Sequence, residues 1–393
     1  MKRRLFLAGC GGLLFQGRQA LTAQQVKADM EDLIARLGSR QFQAREAAAK
    51  ALAKQGEKVL PALRRAAKTS SDPELRRRAA SVIRYIEEHP LQKPNCVVRD
   101  LGGSPFRSVA VSPGGSTFLW PGNRDKDYDV HLAEIAGGRP VRRFHGHGNY
   151  VWTVAFAPDG QRILTGGQDT TIRLWNAATG DQIHCLRRHG SAVTGVGFSR
   201  DGLKAISVAP GQAALWDLSA GQCMHVLTAR TAMLSAALSP DSRWAITSAT
   251  DGSLTLWDAD NGKELQCLLK GRWGEQVFCV AFSPDGRQAL SAGQDHLVRL
   301  WALGTGRELR RFAGHRGPVL CARFGPDGRQ ILSGSQDKTL RLWDTRTGLE
   351  RDCLLGHTRP VAALAFFSNG RRALSAGKDG TIRLWNLPQW SKQ

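Results

Sequence analysis

Through the last two-thirds of the chain apolar and polar positions alternate with a period of two, in short runs cut by turn residues. Tyr150 to Ala157 is one such run. Pro158-Asp159-Gly160 interrupts it, Arg162 to Gly166 resumes, Gln168-Asp169 interrupts again, and Thr171 to Trp175 and Gln182 to Leu186 follow. Such alternation predicts short β-strands, four to a unit. The unit then repeats. Trp175, Trp216, Trp257, Trp301, Trp343 and Trp385 are separated by 41, 41, 44, 42 and 42 residues, each ending an apolar alternating segment. Ile172-Arg173-Leu174-Trp175 returns nearly unchanged as Val298 to Trp301, Leu340 to Trp343 and Ile382 to Trp385. A further copy, Val130-His131-Leu132-Ala133, lies one period upstream with alanine in the tryptophan's place, which makes seven units. Pro-Asp-Gly recurs at 284–286 and 326–328, where proline presets one backbone angle and glycine accepts positive φ.

A four-stranded sheet of this size cannot cover both of its apolar faces, and radial stacking lets each sheet cover its neighbour. The seventh unit stops at Leu387-Pro388 after three strands, while Cys96-Val97-Val98-Arg99-Asp100 resembles the outer strands around Cys185 and Cys267. The expectation is a ring closed by pairing the two ends, which also removes an exposed sheet edge.

The chain here resembles the WD40 repeat family. Gly146-His147, Gly314-His315 and Gly356-His357 match the start of its repeat, and Trp216-Asp217, Trp257-Asp258 and Trp343-Asp344 match the end. The resemblance covers roughly residues 96 to 388 and implies a mainly β fold, a single seven-bladed propeller. It also implies a buried structural tetrad for His147, Thr165, Asp169 and Trp175; for His315, Ser333, Asp337 and Trp343; and for His357, Ser375, Asp379 and Trp385. A hydrolase triad would use the same residue types, but an enzyme needs one site and these recur. A buried hydrogen-bond relay explains the repetition. The third unit has Pro210 where aspartate is expected, the fourth Arg230 in place of histidine, and the fifth Gly271-Arg272 in place of Gly-His, so these blades are expected to be the less rigid ones. The family's exposed positions fall on Tyr150, Trp152, Gln168, Phe278, Gln294, Gln336 and Lys378. Trp273 in a glycine-flanked loop, and Trp120 beside the insertion at Arg124-Asp125-Lys126, add aromatic candidates of the kind that anchor interfaces.

Residues 24–90 change period. Leu33, Ile34 and Leu37, then Ala44, Ala48 and Leu52, then Val59, Leu60 and Leu63, then Leu75, Ala79, Val82 and Ile83 recur at helical steps, and four amphipathic helices fit. Ser71-Asp72-Pro73 is a helix start with proline at the first helical position. Two similar stretches 31 residues apart, from Gln43 and from Glu74, give this small all-α module a loose HEAT-like resemblance. Too few for an independent solenoid, the helices are expected to rest on the propeller or on a partner. Residues 1–23 read as an export signal of bacterial type: Arg3-Arg4-Leu5-Phe6-Leu7 resembles the twin-arginine motif, and Leu21-Thr22-Ala23 offers a cleavage site. Residues 91–388 are then the propeller and 389–393 a tail. Periplasm or cell envelope is the expected location, with a cytoplasmic protein bearing a basic N-terminus as the alternative. No segment is long and apolar enough for a mature membrane anchor.

The net charge is +21 over 393 residues, which raises the possibility of an acidic partner. Arg173, Arg299, Arg341 and Arg383 share one repeat position around the ring, whereas Arg142-Arg143, Arg187-Arg188 and Arg310-Arg311 on outer strands could form a basic rim. Aromatics are not interleaved with them, which disfavours nucleic acid. None of the eight cysteines forms a Cys-x-x-Cys pair; Cys185, Cys267, Cys353, Cys279 and Cys321 read as small buried apolar residues rather than bridges or metal ligands. With no nucleotide loop, metal-ligand cluster or unique acid–base pair, no catalytic, cofactor or metal site is assigned. The expectation is a non-catalytic scaffold whose protein partners bind the narrow face of the ring; the alternatives are a polyanion-binding propeller and, behind it, a propeller enzyme. Partner identity and oligomeric state stay open.

Overall fold

The computed structural model describes residues 23–388 apart from 40, 54–58, 89–94, 100–106, 123–125 and 272–274. The chain divides into two compact units, one up to Leu91 and one from Gln92. Among the described residues the first holds four helices, α1 (Ala23–Arg36), α2 (Phe42–Ala53), α3 (Leu60–Thr69) and α4 (Pro73–Glu88). Their apolar stripes meet in one core of Ile34, Leu37, Ala48, Leu52, Val59, Leu63, Ala79 and Val82. Asp72 caps α4, its Oδ1 accepting from the Glu74 amide at 2.9 Å just ahead of Pro73, which satisfies a donor that has no partner within the helix.

The second unit is seven four-stranded antiparallel sheets. Within each blade the strands are lettered a to d in order. Blade 2 has Val151–Phe156, Arg162–Gly167, Thr171–Asn176 and Gln182–Arg187. The a strands of successive blades lie against one another around the axis, and the last meets the first. Blade 7 supplies only Val361–Phe366, Arg372–Gly377 and Thr381–Asn386 from the C-terminal side. Its d strand is Asn95–Arg99, paired antiparallel with Cys96 opposite Arg383 and Val98 opposite Ile382. The ring therefore closes on the segment expected from the sequence.

Each interface between blades is one apolar cluster drawn from both neighbours. Leu332, Leu340 and Leu342 of blade 6, for example, pack with Val361, Leu364 and Trp385 of blade 7. Trp175, Trp216, Trp343 and Trp385 are among the largest fully buried side chains. Polar bonds reinforce the inner rim: the a-strand amides of Val154, Val196 and Val280 donate to Ser108, Thr153 and Ser235 of the preceding blade at 3.2–3.3 Å. At the foot of each blade the a–b turn needs a left-handed residue. Gly160 has φ +71°, and a Cβ there would lie 3.3 Å from Pro113 of blade 1.

The closing seam is packed differently. Phe118 pairs with Ala133 as Ile163 pairs with Trp175, so alanine does stand in the tryptophan's place. One step along, Trp120 faces His131 where Thr165 faces Arg173. Large and small have been exchanged between strands b and c. Trp120 stacks on Phe118 (4.9 Å) and His131 (5.2 Å) and joins the seam cluster with Phe367 of blade 7. Of the two roles open to Trp120, interface anchor and packing between blades, its place in the seam cluster beside Ala133 favours packing. Reversing the exchange provides a test. Trp120→Ser alone should cost about 3 kcal/mol for the lost core volume, and Ala133→Trp alone about 1–3 kcal/mol for overpacking. In urea unfolding the double variant should lose less than the sum of the two; strict additivity would show that the residues do not share one space.

Candidate functional site

Antiparallel pairing places the d–a loops and b–c turns of every blade on one face of the ring and the a–b and c–d turns on the other. The first face carries the histidine–aspartate sets. In blade 2 the Trp175 indole donates to Thr165 Oγ1 at 2.9 Å, Thr165 Oγ1 lies 2.7 Å from His147 Nε2, and His147 Nδ1 lies 2.8 Å from Asp169 Oδ2. With Nδ1–H donating to the carboxylate, Nε2 accepts the hydroxyl proton, and each of the four side chains in the set has a partner. Asp169 also accepts from the backbone amide of Gly148 at 2.9 Å, which ties the d–a loop to the b–c turn.

Blades 6 and 7 repeat the set. His315 joins Asp337 (2.9 Å) and Ser333 (2.8 Å), His357 joins Asp379 (2.9 Å) and Ser375 (2.7 Å), and Trp343 and Trp385 close each relay at 2.8 Å. Burial, the largest single influence, raises the affinity of these three aspartates for a proton, but the hydrogen bonds from histidine and from the neighbouring backbone amides, with the attraction of the imidazole, together outweigh it and hold them well below the ordinary carboxylate range. Thr165, Ser333 and Ser375 each have 0% exposure, so no substrate carbonyl can reach their hydroxyls.

Where the sequence departs from the pattern, blade 3 completes its relay with another residue, whereas blades 4 and 5 keep only part of theirs. In blade 3 His189 Nε2 still lies 2.7 Å from Ser207, and Trp216 donates to the same oxygen at 2.8 Å. Gln212 replaces the missing aspartate: its amide nitrogen lies 3.2 Å from His189 Nδ1 and 3.4 Å from the Arg188 carbonyl. An amide N–H donating to Nδ1 leaves the imidazole proton on Nε2, so this relay runs in the reverse direction. In blade 5 Asp295 pairs with Arg299 of its own blade. In blade 4 Trp257 keeps its bond to Thr247 at 2.8 Å. Gln212 had a legible signal, a polar side chain at the first c-strand position beside a lone histidine.

The partner candidates occupy the same face. Gln168, Gln294, Gln336 and Lys378 are exposed at the b–c turns. Tyr150, Trp152 and Phe278 are half-buried where the a strands begin. Tyr150 meets Tyr128 edge-on at 5.2 Å, and the Arg107 guanidinium lies 5.0 Å over Trp152. Trp273, Arg124 and Asp125 lie outside the described residues. Thr170, His296 and Lys338 hold φ of +66°, +69° and +72°, the conformation that Gly252 and Gly380 take in other blades. Their side chains are displayed at a backbone cost that glycine avoids.

Three further sequence readings resolve here. Arg173, Arg299 and Arg341, which share one repeat position, are engaged with Gln182, Glu308 and Glu350 of their own blades. Cys279 and Cys321 are buried as expected, but Cys185, Cys223 and Cys353 are only half-buried and Cys267 is exposed, because one side of an outer strand faces solvent. Burial pushes the Cys321 thiol far above its ordinary value, which makes it a poor nucleophile. The residue that sequence reasoning missed is Arg323, on an a strand where the other blades carry alanine or glycine. Its guanidinium donates to Cys279 Sγ and to the Ala322 carbonyl, both at 3.0 Å. Among the described residues no group of histidine, cysteine and acid could hold a metal ion, and no helix is long and apolar enough to cross a membrane.

The family description "WD domain, G-beta repeat" matches residues 138–176, 221–258, 263–302, 306–344 and 350–386. The chain carries WD40 repeats. Each matched stretch runs from the d strand of one blade through strand c of the next. The stretches left out hold the two units that lack the repeat's aspartate or tryptophan, those with Pro210 and Ala133. The WD40 propeller is similar to a guanine nucleotide-binding protein subunit beta of Arabidopsis thaliana, 33% identical over 161 residues, covering 38% of this chain and 43% of the relative. It is also similar to the small ribosomal subunit protein RACK1y of Oryza sativa subsp. japonica (31% over 126 residues; 31% and 37%). A third relative is eukaryotic translation initiation factor 3 subunit I of Phaeosphaeria nodorum (26% over 147 residues; 34% and 44%). The matched part spans less than half the length of each.

Two stability predictions follow from the relays of these WD40 blades. Asp337→Ala leaves His315 Nδ1 and the Arg316 amide without their acceptor and should cost about 1–3 kcal/mol, more than Gln212→Ala, whose bonds are longer. Equal unfolding midpoints for the two variants would remove the relay's stabilising role. His189 is held neutral, its pKa lowered by burial to about 4. Between pH 6.5 and 4 the unfolded chain takes up a proton that the folded chain refuses, so stability falls as pH falls through that window, by roughly 3 kcal/mol in all. His189→Gln should flatten the slope measured by urea unfolding at stepped pH; an unchanged slope would place the titration elsewhere.

Proposed function

We propose that the protein is a non-catalytic scaffold that binds protein partners on the face carrying the d–a loops and b–c turns. The observation that carries this reading is the pairing of rigid support with exposed display. On that face the buried relays pin the b–c turns of blades 2, 6 and 7, where Gln168, Gln336 and Lys378 project into solvent, and Gln294 is exposed at the corresponding turn of blade 5. Loops held by a rigid frame are where recognition residues concentrate. The names of the relatives support it too: each is called a subunit, or a protein of a subunit, of a larger assembly. Chemistry finds no comparable support, because the polar sets recur from blade to blade and their hydroxyls are buried.

In the same reading, the twin-arginine-like Arg3-Arg4-Leu5-Phe6-Leu7 delivers the folded chain to the periplasm or envelope, and the helices of 24–90 act as a HEAT-like accessory module. N-terminal sequencing of the mature protein tests the first point. Capture of partners from cell extract tests the scaffold itself. A Tyr150→Ala, Phe278→Ala variant with an unchanged melting temperature should lose partners that the wild type retains. Retention of every partner by the variant would overturn the assignment of the face.

A further inference from the structure

We infer that the channel enclosed by the ring holds a small oxyanion, a carboxylate or a phosphate, on the guanidinium of Arg323. The inference concerns the inner wall and does not depend on which face a partner uses. The a strands form that wall, and their pairing with the b strands fixes which residues are equivalent. Arg323 stands opposite Leu332 as Ala155 stands opposite Leu164, and the same register puts Ala110, Gly197, Ala237, Ala281 and Ala365 in that place in the remaining blades. Those blades present a methyl group or a hydrogen where blade 6 presents a cation. Among the described residues Arg323 is also the one charged residue on any a strand. Its side chain is exposed although Leu332 behind it is fully buried, so the solvent that reaches it is the channel's.

Only one edge of the guanidinium is used. Nη1 donates to Cys279 Sγ and to the Ala322 carbonyl, which pins the group along the inner edges of blades 5 and 6. Nε and Nη2 have no partner among the described residues, and they are the parallel N–H groups that grip a carboxylate or phosphate with two bonds. No side chain of the wall supplies such an oxygen pair. The titratable groups that act on Arg323 among the described residues are the Cys279 and Cys321 thiols, with no carboxylate. A cation packed against protein attracts an anion more strongly than one on the open surface, because the dielectric around it is lower. Water can solvate the free edge but brings no opposite charge; an oxyanion does both. Arg323 is the penultimate residue of Val319–Phe324, so the site lies nearer the mouth ringed by the a–b turns, away from the face proposed for partners.

Thermal unfolding of the full chain, with formate, acetate or phosphate exchanged for chloride at constant ionic strength, tests this. A ligand that binds only the folded chain raises its melting temperature, so the wild type should show a saturable rise with at least one of these anions. Arg323→Ala, which installs the residue that five other blades carry, should abolish the saturable rise. Arg323→Gln, neutral and closer in length, has the same expected outcome should the alanine variant fail to fold. Arg323→Lys keeps the charge and loses the paired donors, and should need about tenfold more anion for the same rise. Arg287→Ala, which removes an exposed cation from an a–b turn, should respond as the wild type does. No saturable rise in the wild type would overturn the inference, leaving Arg323 as a staple between blades 5 and 6. So would an equal rise in the wild type and the neutral variants.

Discussion

A four-stranded sheet with two apolar faces is not stable in water, and everything else in this propeller answers that constraint. Each blade is covered on one side by its predecessor and on the other by its successor, so every face has a partner only if the last blade meets the first. The chain meets the condition twice over at the seam. Asn95–Arg99 completes the outer edge of blade 7, and Trp120 with Phe367 fills the core where the repeat's tryptophan is absent. At roughly 25 cal/mol per Å² of apolar surface, an open ring would leave two whole blade faces as a large standing cost.

The polar relays settle a second problem, the cost of burying hydroxyl, imidazole and indole groups between the blades. Each is satisfied by the next, from indole to hydroxyl to imidazole to carboxylate, and the carboxylate in turn holds the amide of the following loop. Packing energy, loop rigidity and function thereby meet in one network. A fully bonded aspartate fixes its turn, and residues such as Gln336 and Lys338 on either side of it are held out to solvent in a set geometry. A binding face made this way gives up little conformational entropy on docking.

Local information in the chain was enough for much of this. The period of 41–44 residues, the alternation within strands and the Pro-Asp-Gly turns are properties of short windows. They sufficed for blade number, strand order and the three full tetrads. The closing strand was legible as well, because its residues resemble outer strands that occur elsewhere in the chain. What failed was whatever depended on a neighbour in space. Trp120 stayed open between anchor and core because its role depends on Ala133 across a strand pair. Gln212 was overlooked because its amide matters only beside His189, and the outer-strand cysteines were placed inside because a repeat position does not say which side of a strand faces water.

By itself, then, the sequence determined the repeat, the sheets it forms and the need to close them, since backbone propensity and alternation act over a few residues. The tertiary structure alone decided which substitutions the seam and the incomplete relays accept, since those depend on volume and hydrogen-bond partners brought from distant parts of the chain.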